Sequence, residues 1–162
     1  LEFNTSWKIT QNLKISGGYQ LLYAFDKNAI KAFENGEVYA RLNSSSPSFR
    51  LKKEDYFGLY NRSRHMSNLK MFYSFEALKM DTSLRGTYRS KYGLIDTNGN
   101  TFLDTYDNFV DGFVVIDFAI NKTFLDNYQL GFGIDNLFDI KDSQNISNIA
   151  GRIIYGKLNI QF

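Results

Sequence analysis

Cysteine is absent from the 162 residues, so neither disulfides nor thiolate-bound metal can hold this chain together. Histidine occurs once, at His65, which leaves no paired imidazoles for zinc. Proline also occurs once, at Pro47. No apolar run reaches the ~20 residues of a membrane-crossing helix, which excludes an α-helical membrane protein. Charge of one sign is lacking too. The net charge is +2, from 19 basic and 17 acidic residues, which argues against a nucleic-acid binder that works by neutralising phosphates. Neither a glycine-rich phosphate loop nor a Ser/His/Asp set in a consistent context is present, so no enzyme activity is expected.

What the chain has is aromatic residues, 17% of the total, placed in strict alternation. Leu1, Phe3, Thr5, Trp7 and Ile9 alternate with Glu2, Asn4, Ser6 and Lys8, which predicts a first strand. After a polar turn at Thr10-Gln11-Asn12, a second strand is expected from Leu13 to Phe25. The Asp26–Arg64 connection is long and contains a predicted helix over Lys27–Asn35, stopped by Gly36. A connection of this length in a compact domain is usually functional or mobile. Strand three carries Leu69, Met71, Tyr73 and Phe75 on one face. A turn over Leu78–Asp81 leads to strand four, with Leu84, Gly86, Tyr88 and Tyr92 on one face. A loop rich in Asp and Asn covers 94–109. Strand five sets Val114, Ile116, Phe118, Ile120 and Phe124 against Asp117, Ala119, Asn121 and Thr123. Strand six follows over Tyr128–Asp135, then a loop over 140–151, then a last strand with Ile154, Leu158, Ile160 and Phe162 on one face.

Connections that alternate short and long between strands of about ten residues suit an antiparallel transmembrane β-barrel, since about 9–11 tilted residues cross a bilayer. The fold class expected is therefore all-β. Trp7, Ile15, Tyr19, Leu84, Ile116, Phe118, Phe132, Ile134, Leu158 and Ile160 are expected to face lipid. Lys14, Arg85, Arg89, Asp117, Asp135 and Asn159 are expected to face the lumen. Seven strands is an odd number where bacterial single-chain barrels have an even one, so the chain reads as the C-terminal part of a larger barrel.

One stretch carries a family resemblance. Gly133-Ile134-Asp135-Asn136-Leu137-Phe138-Asp139, a loop, Gly151-Arg152 and a strand closing on Phe162 resemble the C-terminus of TonB-dependent outer-membrane receptors. The resemblance implies a barrel of about 22 strands filled by an N-terminal plug that couples to TonB. It also implies a Gram-negative outer membrane with its lipid and lipopolysaccharide as surroundings. The implied role is uptake of a scarce small ligand: an iron chelate, haem or a cobalamin-like molecule. Nothing in the chain matches the plug, which is expected upstream of Leu1; no signal peptide is found at Leu1, so either it has been removed or the chain begins mid-protein. Phe162 resembles the terminal aromatic read by the barrel-assembly machinery, although Lys157 stands where that signal usually has glycine. Two other readings stay open: a small eight-stranded structural or adhesion barrel in the outer membrane, and a soluble ligand-binding β-barrel with its apolar face inward.

Three groups of side chains could carry chemistry. Asp96, Asn98, Asn100, Asp104 and Asp107 resemble an EF-hand calcium loop, with oxygen donors at its positions 1, 3, 5, 9 and 12. Thr101 stands at position 6 in place of glycine, and the flanks read as strands. The alternative is a polar loop using Asp, Asn and Gly for its turns. Lys8, Lys14, Lys70, Arg85, Arg89 and Lys91 fall on the polar faces and would make a lumen basic. Arg62, Arg64 and His65 cluster where the long connection rejoins the wall.

Overall fold

The computed structural model describes residues 1–146 and 149–161, so the expected assembly signal at Phe162 lies outside the described residues. Seven strands carry the alternation: β1 Glu2–Lys8, β2 Leu13–Leu21, β3 His65–Phe75, β4 Met80–Arg89, β5 Phe113–Phe124, β6 Tyr128–Asp135 and β7 Ile153–Ile160. They lie side by side in chain order in a single sheet, with β1 and β7 at its edges. The chain divides into two compact units, one holding this sheet and the other made of 21–64 and 90–112.

The registers join the alternating patterns of separate strands into one surface. Trp7 pairs with Ile15, and Phe3 with Tyr19. Met71 sits opposite Leu84, Leu84 opposite Phe118, Phe118 opposite Ile134 and Ile134 opposite Ile154. Because side chains alternate faces, each pairing puts apolar against apolar on the same side. The other side gathers Lys70, Arg85 and Asp117 in one row. Among the described residues, no side chain of the apolar face is buried: Trp7 is 56% exposed and Leu158 57%. Apart from Ile146, the buried hydrophobic residues all lie in the other unit.

Short turns close one end of the sheet. Thr10 Oγ1 accepts from the backbone N–H groups of Asn12 and Leu13 and so shapes the first turn. A 3-10 turn over Glu76–Leu78 ends on Lys79 with φ 47°, earlier than the expected Leu78–Asp81 turn. Leu125 and Asp126 both adopt positive φ, 48° and 59°, between β5 and β6. Such primed turns match the right-handed twist of the strands they join.

The second unit corrects the strand lengths. β2 stops at Leu21, short of Phe25, and β4 stops at Arg89, short of Tyr92. Tyr92 starts a separate short strand, Tyr92–Ile95, paired with Asn108–Val110. The reason is competition for burial. Alternation extends a strand on paper, but Tyr56 and Tyr92 are buried within this unit. The Lys27–Asn35 helix (α1) forms as its sequence predicts. Asp26 Oδ1 caps it by accepting from the N–H groups of Asn28 and Ala29, and Gly36, at φ 73°, ends it. Its Ala29 and Phe33 pack with Val38, Ala40, Leu51 and Tyr56 in a core that draws in Phe102 from the second connection. Burying a side chain such as Phe33 or Leu51 stabilises by about 1.5–3 kcal/mol. The two connections therefore share one core and are not separate loops.

Candidate functional site

The polar face of the wall is ordered by one ion pair. Arg85 donates from Nε and Nη2 to Asp117 Oδ2 at 2.8 and 2.7 Å. The other oxygen, Oδ1, accepts from the Asn136 backbone N–H at 2.8 Å. Asn136, at φ 53° and 4% exposed, then uses its whole side chain. Its Nδ2 donates to the carbonyls of Ile140 and Ala150, and its Oδ1 accepts from the Ile140 N–H. Asp139, at φ 56°, accepts from Lys141 Nζ and from the Arg152 N–H, which hold its carboxyl below the usual range. The Asp-Asn-Leu-Phe-Asp stretch is thus a clamp that ties both ends of the 140–151 loop to the wall. Only Asn and Asp combine an easily adopted left-handed backbone with a side chain that bonds locally.

The basic residues divide between the two units. Lys8, Lys14, Lys70, Arg85 and Arg89 lie in the sheet, whereas Lys91 lies in the second unit with its Nζ 4.2 Å from the centre of the Phe109 ring. The Arg62, Arg64 and His65 cluster is also separated. The Arg64 guanidinium stacks 4.3 Å from the Phe57 ring centre and 5.5 Å from that of Tyr23. It donates from Nη2 to the Phe57 carbonyl, while its buried Nε has no partner among the described residues. His65 Nδ1 instead meets the Tyr19 hydroxyl at 2.6 Å in the wall. Phe57 and Phe109 meet edge to face at 4.7 Å, so two cations flank an aromatic pair. Sequence reading missed this array, because Tyr23, Phe57, Arg64, Lys91 and Phe109 are brought together only by the packing of the two connections.

The 96–107 loop adopts a tightly wound form. Asp96 Oδ1 accepts from the N–H groups of Asn98 and Gly99, and Oδ2 from that of Thr101. Thr101 takes φ 74°, the left-handed conformation that glycine supplies at that position of a calcium loop. Asp104 is fully buried, and its Oδ2 accepts from the side-chain amides of Asn98 and Asn100. Asp107 accepts from the backbone N–H groups of Thr97 and Asp104. Burial pushes its carboxyl up despite those bonds. Nearby Tyr60 has a phenol pushed up to about 12, by burial first and then by Asp96, Asp107 and Asp104. Among the described residues, no three His, Cys, Asp or Glu side chains are grouped so as to hold a metal ion. Thr101 thus shares the left-handed backbone of that position, while the amides of Asn98 and Asn100 present nitrogen, and not oxygen, to Asp104.

Comparison with protein-family models finds no match, and no curated protein sequence matches the chain. Solved structures do match. The ferric enterobactin receptor of Pseudomonas aeruginosa, in complex with enterobactin, superposes with a TM-score of 0.64 at 16% identity, over 99% of this chain and 22% of the receptor. The siderophore receptor PiuA from Acinetobacter baumannii gives a TM-score of 0.57 at 18% identity, over 86% of this chain and 17% of the receptor. The chain spans about a fifth of the length of these receptors. At this identity the likeness is one of fold: a run of consecutive barrel strands with their connections.

Proposed function

We propose that this chain is barrel wall and ligand-facing loops of a TonB-dependent receptor in a Gram-negative outer membrane, a transporter and not an enzyme. The observation that carries the reading is the apolar face, continuous through the registers of the sheet and with no buried side chain among the described residues. Water would oppose such a surface, whereas a bilayer would favour it. A soluble barrel would turn the same face inward around a closed interior. On this reading the plug that engages TonB lies outside the chain, and the last strand serves the barrel-assembly machinery.

In an antiparallel meander the β2–β3 and β4–β5 connections leave from the same end of the strands, opposite the short turns. Short turns face the periplasm in bacterial barrels, so those connections face outward. The ligand proposed is an anionic iron chelate with aromatic groups, which the stacked cations Arg64 and Lys91 would attract and Tyr23 and Phe57 would contact. In the full-length receptor, Arg64→Ala and Lys91→Ala should each weaken binding of a ferric tris-catecholate by about tenfold, the scale of 1.4 kcal/mol. Unchanged binding in both variants would remove the array from the ligand site.

A further inference from the structure

On the apolar face, among the described residues of the seven strands, Lys122 is the one Lys, Arg, Asp or Glu. It lies near the short-turn end of β5. Its Nζ donates to the Leu78 carbonyl at 3.1 Å and lies 5.4 Å from the centre of the Phe124 ring. The Thr123 N–H bonds the Lys79 carbonyl, so the β3–β4 and β5–β6 turns are joined at this point. Across them Lys79 Nζ pairs with Asp126 Oδ1, both well exposed. An ammonium has three donors, so each lysine keeps two that these contacts do not use.

The same two turns expose apolar side chains where turns usually carry polar ones. Leu78 is 50% exposed and Leu125 84%. Leu125 also sits at φ 48°, a left-handed conformation that asparagine or glycine fills more easily. The adjoining face, with Phe124 and Tyr128, is continuous with it.

We propose that the Leu78–Lys79, Lys122 and Leu125–Asp126 group seats one phospholipid headgroup of the ethanolamine type. Lys122 and Lys79 would take the phosphate, Asp126 the primary ammonium, and Leu78 and Leu125 would lie beside the acyl chains. The seat offers groups of both signs, Lys122 and the Lys79–Asp126 pair, and the ethanolamine headgroup carries a phosphate and an ammonium that can meet both. A choline headgroup lacks N–H donors for Asp126, and a glycerol headgroup lacks the cation. The proposal rests on the membrane reading above, and its test separates the two.

The full-length protein is reconstituted in bilayers, and retention of spin-labelled phosphatidylethanolamine is compared with that of the phosphatidylcholine and phosphatidylglycerol analogues. The wild type should favour the ethanolamine lipid by about tenfold, the scale of one charge-assisted pair. Asp126→Asn should abolish the preference over choline, and Lys122→Gln should weaken all three lipids. Leu125→Asn, which relieves the strained backbone, should stabilise the fold yet loosen every lipid equally. Equal retention of the three lipids by the wild type overturns the seat. Brominated acyl chains test the membrane reading separately through Trp7, which lies on the apolar face, in a full-length background whose other tryptophans are replaced by phenylalanine. An unquenched Trp7 would overturn that reading as well, whereas quenching without headgroup preference overturns the seat alone.

Discussion

At the scale of single residues, two positions near the end of β6 shape the wall. Asn136 makes two donor bonds and one acceptor bond from a buried, left-handed position. Asn136→Gly keeps the backbone and loses the bonds, so it should destabilise by about 1–3 kcal/mol, the cost of leaving buried groups unpaired. Asn136→Asp keeps the acceptor but sets a carboxylate oxygen against the Ile140 and Ala150 carbonyls, so it should cost more. Denaturant melts that rank Asp milder than Gly would mean that the two donor bonds carry little. Gly133 shows a different constraint. The Tyr155 ring lies across it, and a Cβ there would come within 2.2 Å of the Tyr155 Cζ. The ring thus covers a position with no side chain of its own, an arrangement known to support glycine in sheets.

At the scale of elements, the two carboxylate-tied loops, 140–151 and 96–107, respond to solution conditions in different ways. Asp139 and Asp142 both have carboxyls held below their ordinary value, Asp139 by Lys141 first and Asp142 by the Asn145 side chain first. A depressed carboxylate contributes stability that is present above the unfolded value of about 3.9 and is lost as pH falls through the folded value. The 140–151 loop should therefore loosen below about pH 4, with carboxyl ¹³C titrations of Asp139 and Asp142 showing midpoints below 3.9. Ordinary midpoints would mean that the clamp is not formed in solution. Asp107 has the opposite sign: burial raises it, so its charge opposes folding once pH rises through the carboxylate range. Calcium, proposed from the spacing of Asp96, Asn98, Asn100, Asp104 and Asp107, would relieve that charge after the two Asn amides rotate their oxygens inward. The expected result is a saturable rise in Tm, following RT ln(1 + [L]/Kd), in the wild type and none in Asp104→Asn. Melting curves unchanged by calcium would leave a loop closed by its own backbone N–H groups.

At the scale of the whole molecule, stability of the sheet depends on what meets its apolar face. Phe118 stands mid-strand between Leu84 and Ile134, so Phe118→Arg should cost about 2–4 kcal/mol in a bilayer. Asp117, one position along, is not a neutral control, because it already holds Arg85 and Asn136. Ser83→Arg, on the polar face, supplies the comparison and should cost far less. Equal losses in the two variants, measured by refolding into lipid vesicles, would show that the two faces meet the same environment. The second unit has its own buried core around Phe33 and Leu51 and should be insensitive to both changes.

Sequence alone determined whatever depends on local periodicity. The faces of the seven strands, the helix over Lys27–Asn35 with its Gly36 stop, and the Thr10-Gln11-Asn12 turn follow from side-chain alternation and backbone preference between near neighbours. Tertiary structure decided what depends on distant partners. Tyr23, Phe25 and Tyr92 continue an alternating pattern, yet they leave the sheet for a unit that 21–64 and 90–112 build together. Lys91 follows Arg89 by two positions, as a strand would repeat, and still lies over Phe109. Arg64 and His65 are neighbours in the chain but bond in different units, one to Phe57 and the other to Tyr19. The physical reason is range: alternation is enforced by each residue's own backbone, whereas a strand's end is set by the burial available to it elsewhere.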